Sequence, residues 1–343
     1  MAALAVAALS ACGVAPPADE VARGAAPGST FSHGLGEGPK PWNHERFDTA
    51  PGKFTFAVFS DLTGGEREGV FSVAVEQLRL LRPELILNVG DLTEGERMER
   101  EVLEAEWDSF EARAARARAP VFHVGGNHDL SSPLQWDVWA ERHGPKYYHF
   151  RYRDVLFLVL DTEDNPREEQ QRIDDLRAAA MEVVEREGWG AFGETDYYAS
   201  PHRKLGRVGP EQAAYFREVI AANPDVRWTF VFMHKPAWER ENEEHFAAIE
   251  AALADRPYTV FHGHVHAYEY QQRHGRDYIR LATTGGVQIE GRANAFDHVT
   301  LVTVADDGVD IANLRLDGIL DKTGRIPAGG EALCFEAARC GPE

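Results

Sequence analysis

From Lys53 onward the chain alternates short apolar runs with longer segments of helical spacing. Phe54 to Phe59 stops at Ser60-Asp61, Leu85 to Val89 at Gly90-Asp91, and Val121 to Val124 at Gly125-Gly126-Asn127-His128-Asp129. Further along, Trp228 to Met233 stops at His234, and Tyr258 to Phe261 at His262-Gly263-His264-Val265-His266. Short apolar runs bounded in this way read as buried strands, and Val155 to Leu160, apolar throughout, as a strand covered on both faces. Between the strands, Phe71, Ala74, Leu78 and Leu81, then Leu103, Trp107, Phe110, Ala114 and Ala117, recur every three or four residues, each set marking one face of a helix. After Tyr268 the pattern turns mostly to strands, at Tyr278 to Ala282, His298 to Val304 and Val309 to Leu316, with the turn signal Asp306-Asp307-Gly308 between the last two. No internal repeat interrupts this α/β alternation. Five strands therefore end in a titratable or amide side chain, and the carboxyl ends of strands are where ligands gather in open α/β sheets.

The pattern is broken between Asp161 and Gly209. Residues 162–208 read as an insertion: a charged amphipathic helix with Ile173, Leu176, Ala180 and Val183 on one face, then the glycine- and aromatic-bearing segment Gly188 to Tyr198. Two readings of it stand, a lid or wall beside a site and a surface helix without function. Before Lys53 the composition shifts again. Met1 to Ala11 is almost wholly apolar or small, too short to span a bilayer, and Leu9-Ser10-Ala11-Cys12 resembles the lipobox of bacterial lipoproteins. The resemblance implies a signal peptide over 1–12, lipid on Cys12 and a location in the cell envelope, anchored outside the cytoplasm. No basic stretch precedes Ala2, so Met1 reads as an internal start in a longer frame. Residues 13–52, rich in Ala, Gly and Pro, read as a tether, residues 53–320 as one domain and 321–343 as a tail. Cys334 and Cys340 in that tail stand either as a disulfide-closed loop or as two thiols.

The chemistry starts from Gly263-His264-Val265-His266, where two imidazoles one residue apart at a strand end are aimed into one small volume, a spacing suited to metal. Taken in order with Asp61, Gly90-Asp91, Gly125-Gly126-Asn127-His128-Asp129 and His234, this set resembles the calcineurin-like metallophosphoesterases in spacing and in placement after strands, over roughly 54 to 316. The resemblance implies a four-layer α/β/β/α sandwich of two mixed sheets and two divalent ions, Mn, Fe, Zn or Co, that together hydrolyse phosphomonoesters or phosphodiesters with hydroxide as nucleophile. It implies Asp91 as the bridge, Asp61 and His266 on the first ion, Asn127, His234 and His264 on the second, and His128 as general acid at the leaving oxygen. For Asp129 two roles stay open, orienting His128 and capping a turn.

Most relatives carry Asp-x-His at the first motif; this chain reads Asp61-Leu62-Thr63. Purple acid phosphatases replace that histidine with a tyrosine after the second motif, which Gly90-Asp91-Leu92-Thr93-Glu94 also lacks. Thr63 offers only a neutral hydroxyl, so the first ion is expected to bind more weakly, to be held partly by water, or to be rescued by a neighbour such as His123, Glu94 or His298. Leu281 to Gly286 reads either as a turn that brings backbone amides to the site or as a tight turn alone. A formal net charge of −20 disfavours a nucleic-acid partner, whereas small phosphoesters remain compatible because bound cations reverse the sign locally. The oligomeric state is left open. The alternative is a degenerate phosphoesterase fold, Thr63 its first sign of decay, that acts as a non-catalytic binding or scaffolding lipoprotein.

Overall fold

The computed structural model describes residues 31, 40–44, 51–95, 99–288 and 292–340. The leader, Cys12 and most of the tether lie outside them. Within Gly52–Glu343, which forms one compact unit, the elements run β1 (Phe54–Phe59), α1 (Val70–Leu81), β2 (Leu85–Asn88), α2 (Arg100–Ala114), β3 (Val121–Phe122), α3 (Asn127–Leu130), α4 (Pro133–Arg142), β4 (Tyr148–Tyr152) and β5 (Val155–Val159). The insertion follows as α5 (Arg167–Glu187), a 3-10 turn at Trp189–Glu194, α6 (Asp196–Ala199) and α7 (Pro201–Lys204). Then come α8 (Pro210–Ala222), β6 (Trp228–Phe232), α9 (Glu244–Ala252), β7 (Tyr258–His262), β8 (Glu269–Arg273), β9 (Arg276–Arg280), β10 (His298–Ala305), β11 (Gly308–Arg315) and α10 (Ala337–Cys340).

The strands form two mixed sheets. One has the order β11-β10-β1-β2-β3, with β1, β2 and β3 parallel and β10 and β11 antiparallel to their neighbours; the other has β4-β5-β6-β7-β9-β8, with β5, β6, β7 and β9 parallel. Side-chain parity then builds the layers, because successive residues of a strand face opposite ways. Phe56 and Val58 of β1 point inward onto Phe157, Phe230 and Phe232 of the second sheet, with ring centroids 5.4 Å apart for Phe56–Phe157 and 4.8 Å for Phe56–Phe230. Ala57 and Phe59 point outward onto Val70, Phe71 and Ala74 of α1 and Trp107 and Phe110 of α2. On the other side Leu156, Leu158 and Val231 meet Phe216 and Ile220 of α8 and Phe246 and Ile249 of α9. This is the four-layer α/β/β/α sandwich, and β5 is buried at every residue as its unbroken apolar run requires.

β4 and β8 had no counterpart in the apolar pattern. On these outer strands of the sheet, YHFRY alternates aromatic with polar residues and EYQQR is polar apart from Tyr270, and β8 turns straight into β9 through His274-Gly275. The tail is fastened to the domain. Phe335 packs into the outer core beside α1, its carbonyl accepts from Asp297 and Gln288, and a disulfide joins Cys334 to Cys340. Among the described residues no helix is long and apolar enough to cross a membrane.

Candidate metal centre

Parallel strands of both sheets deliver their carboxyl ends to one place. β1, β2 and β3 bring Asp61, Asp91 and the Asn127-His128 turn; β6 and β7 bring His234, His264 and His266. Backbone bonds stitch the turns together: Asp61 N–H donates to the Gly90 carbonyl, Leu62 N–H to that of Asp91, Gly263 N–H to that of His234, and Gly286 N–H to that of Asp61. Side chains complete the weave, with His264 N–H donating to Asp61 Oδ1 (3.0 Å) and His128 N–H to Asp91 Oδ1 (2.9 Å). Asp61, Asp91, His264 and His266 take φ of 41°, 57°, 75° and 56°, left-handed backbone that non-glycine residues rarely adopt and that clusters at functional sites. Gly126 and Gly263 are required by close approach, since a Cβ on either would run into the carboxylate of Asp91 or Asp61.

The result is two groups of ligand atoms sharing one carboxylate. Asp61, Asp91 and His266 form one, Asp91, His234 and His264 the other, each with its atoms within 4.8 Å of one another. Asn127 joins the second through Oδ1, 3.2 Å from His234 Nε2. Each imidazole is oriented by a backbone carbonyl, which can only accept: His234 Nδ1 donates to Val89 O (2.7 Å), His264 Nε2 to Arg203 O (2.8 Å) and His266 Nδ1 to Val287 O (2.5 Å). The other ring nitrogen of each is thereby left for the centre, as in sites where an outer partner fixes the ligand tautomer.

Electrostatics points the same way. His234 Nε2 lies 3.1 Å from Asp91 Oδ2 and also faces Asn127 Oδ1, so with Nδ1 already donating it must carry a second proton to bond either oxygen. Burial works against that charge, but Asp91 and then Asp61 outweigh it and raise His234 to about 9. Burial likewise opposes charge on His266, which lies 3.3 Å from Asp61 and is raised by it. Asp91 is pushed up by burial yet held well below the usual carboxylate range by His234 and His128. His264 is driven down by burial, with Lys235 and His234 adding to it, and is neutral. Positive charge is therefore demanded where the two carboxylates converge. A donor set of buried carboxylates, one carboxamide and three oriented imidazoles meets that demand with divalent cations of the Mn, Fe, Zn and Co kind.

His128 stands at the edge of the centre with Nδ1 donating to the Glu94 carbonyl (2.6 Å); burial lowers its pKa, Asp91 opposes and Arg177 adds to the lowering. Asp129 uses its oxygens elsewhere than on that ring: they accept from the amides of Leu92, Thr93 and Gly126 and from the Thr93 hydroxyl, so it ties the second turn to the third. Thr63 donates to the Asp91 carbonyl (3.1 Å) and borders a separate cavity of about 280 Å³ beside Glu66, Glu94 and Glu106. Glu94 holds the amides of Gly64, Gly65 and Glu66. His123 sits among Trp107, Phe110 and His143, and His298 accepts from Ala282 N–H, so neither reaches the first ion's group. Of the two readings of Leu281 to Gly286, the amides do reach the site's edge, where Thr284 and Gly286 hold the Asp61 carbonyl.

Over the centre lies a cavity of about 850 Å³ whose floor includes Asp91, Asn127, His128, His264 and His266 and whose roof is the insertion, through Arg177, Met181, Trp189, Phe192, Tyr197 and Arg203. The sequence reading left this segment between wall and surface helix and named none of these residues. Arg177 had a signal, since it falls on the apolar face set by Ile173 and Ala180 and is buried with them. Its Nη1 donates to Ser131 Oγ (2.7 Å) and Gly95 O, and Asp174 on the same helix interacts with its charge. Lys235, also missed, is 1% exposed; Nζ meets Glu163 (2.8 Å) and the His202 carbonyl (2.7 Å), joining the strand end that carries His234 to the insertion.

A family model for the calcineurin-like phosphoesterases matches residues 54–268. Among solved structures, the fold is similar to a dimetal phosphatase from Danio rerio, at 16% identity and a TM-score of 0.52 over 76% of this chain and 96% of that one. It is similar also to a purple acid phosphatase from yellow lupin (Lupinus luteus) seeds, at 14% identity and a TM-score of 0.50 over 78% of this chain and 53% of that one. At such identities the likeness speaks to the fold. No curated protein matches the sequence. With five strand ends converging on two ligand groups and the family model covering more than half of its length, the chain belongs to the calcineurin-like phosphoesterase family.

Proposed function

We propose that this protein is a metal-dependent hydrolase of phosphomonoesters or phosphodiesters, with Asp61, Asp91 and His266 holding one divalent ion and Asp91, Asn127, His234 and His264 the other. The observation that carries the reading is the pair of ligand groups sharing Asp91 under an 850 Å³ cavity. Bound there, the ions supply an activated water near neutral pH and offset charge on the phosphoryl oxygens. His128 is the general acid. Its main-chain amide is fixed to Asp91 and its Nδ1–H to Glu94 O, so the proton that goes to the departing oxygen is the second one, held on Nε2 in the imidazolium form, which Asp91 favours and burial and Arg177 make readily released. Arg177 adds a cation beside that imidazole.

Folded protein supplied with Mn should hydrolyse p-nitrophenyl phosphate or its diester. His128→Ala should keep its metal content while turnover falls about 10²- to 10⁴-fold; undiminished turnover removes the acid role. No hydrolysis with any of Mn, Fe, Zn and Co would favour the non-catalytic scaffold instead. The lipobox-like Leu9-Ser10-Ala11-Cys12 supports anchoring by lipid on Cys12 at the cell envelope. Cys12→Ala should shift the protein from the membrane fraction to the soluble one, and an unchanged fraction rejects the anchor.

A further inference from the structure

The roof of the cavity is chemically unlike its floor, and the difference bears on what the substrate carries besides phosphate. The floor is polar. Above it Trp189, Phe192 and Met181 face the same space as Val265 and Val287 on the opposite rim. Trp189 is 67% exposed and Val287 47%, large apolar side chains left uncovered on two sides of one opening. The aromatic rings form a connected series: Trp189 meets Phe192 edge-on with centroids 5.7 Å apart, Phe192 meets Tyr198 at 5.6 Å, and the Arg203 guanidinium lies 4.2 Å over the Tyr198 ring. The Arg203 carbonyl also holds His264, and the Val287 carbonyl holds His266, so both rims are fixed to the candidate ligands below. A volume of about 850 Å³ is in the range that encloses a whole small organic ligand.

We infer that the substrate is a phosphoester whose organic part is a planar aromatic group, packed against Trp189 and Phe192 while its phosphate lies on the floor. The inference rests on the hydrolase reading and narrows its substrate class. An aliphatic group would gain only buried area from this wall, whereas a flat ring gains the oriented contacts that aromatic pairs make in addition. Arg177 and Arg203 supply positive charge at the cavity wall in an otherwise acidic protein, matching the phosphate of such a ligand.

The full chain loaded with Mn is compared on 1-naphthyl phosphate and butyl phosphate. In parallel, calorimetry follows binding of the hydrolysis-inert 1-naphthylmethylphosphonate and butylphosphonate. The naphthyl compounds should be preferred in both assays. Trp189→Ala should cut that preference about 3- to 10-fold, the size of one aromatic contact, weaken the butyl compounds less because they lose only buried area, and leave the thermal midpoint in place because the side chain is mostly exposed. Trp189→Phe should restore most of the preference. Equal handling of naphthyl and butyl compounds by the wild type, a preference for the alkyl chain, or a naphthyl preference untouched by Trp189→Ala overturns the inference. If no ester turns over while the naphthyl phosphonate still binds more tightly, the hydrolase reading fails and the aromatic site stands.

Discussion

Asp61 and Asp91 on the cavity floor are 0% and 1% exposed and held in left-handed backbone, whereas on the roof Trp189 is 67% exposed and begins a short 3-10 turn after Gly188. The two regions face one another across the same space, but different forces shape them. The floor residues follow strand ends, Asp61 and Asp91 are braced by backbone bonds between neighbouring turns, and each of the two carboxylates meets candidate ligands from other strands, Asp61 the amide of His264 and the ring of His266, Asp91 the amide of His128 and the ring of His234. That bracing is what lets four residues persist in a conformation costing about 1–3 kcal/mol each. The roof is tied down through α5, where Gln170 reaches Leu130 O and Ser131 O and Arg177 reaches Ser131 Oγ, and through Lys235; its rim side chains are held mainly by one another. Changes on the floor should therefore act all at once, and changes on the roof by degrees.

The sharpest test is Asp91→Ala. Asp91 belongs to both ligand groups, accepts from His128 N–H and faces His234. Its loss should remove both ions and bring hydrolysis to background, read by metal analysis and turnover on one sample. Asp61→Ala should empty only the group that contains it. Loss of one ion with Asp91→Ala would break the picture of a shared floor.

Next in size is Lys235, the post between the two regions. Lys235→Met leaves the Glu163 carboxylate, 3% exposed, without its counter-charge, and burial already raises the pKa of Glu163 while Lys235 opposes that rise. Removing one partner of a buried ion pair costs about 3–5 kcal/mol. Urea unfolding should show a loss of that order, and Lys235→Met combined with Glu163→Leu should recover most of it. A single-variant loss below about 1 kcal/mol would mean that roof and floor are held together elsewhere.

How much of this was legible in the sequence also divides between floor and roof. Strand ends could be read because an apolar run of β-branched and aromatic residues stops at a chemical residue: Phe54 to Phe59 before Asp61, Trp228 to Met233 before His234. The outer strands β4 and β8 escaped because a half-exposed strand mixes polar with aromatic residues. Thr63 was read for what its side chain lacks, and nothing local said that its hydroxyl would be given to the Asp91 carbonyl. The roof was hardest. Trp189 and Phe192 become a wall only because α5 docks on the turn after His128, through contacts between residues some 40 to 80 positions apart that no spacing rule encodes. Arg177, a cation on an apolar helix face, was the one readable clue.

A smaller effect concerns pH. Burial lowers the His234 pKa in the metal-free protein, but Asp91 and Asp61 raise it to about 9, above its unfolded value near 6.5. A raised histidine stabilises fully below about pH 6.5, and that contribution is lost as pH rises through about 9. The chelated protein should therefore lose thermal stability across that window. With metal bound the imidazole holds no second proton, so the loaded protein should be flatter there, and its metal affinity should fall as pH drops and protons compete. Parallel slopes with and without metal would detach His234 from the centre.

Thr63 makes the smallest prediction, and it cuts across the comparison because a buried floor residue should here behave like one on the roof. Its hydroxyl donates to the Asp91 carbonyl, yet that carbonyl also accepts from Leu62 N–H at 3.0 Å and keeps a partner without it. Thr63→Val keeps the shape and should cost about 1 kcal/mol, the net value of one hydrogen bond, with both ions retained. Loss of an ion would make Thr63 a ligand and place the missing donor of the first group there. If both ions stay but the first exchanges readily, Thr63→His, which adds an imidazole at that position, should slow the exchange and raise turnover; no gain in a folded variant would mean that the first group is complete without it.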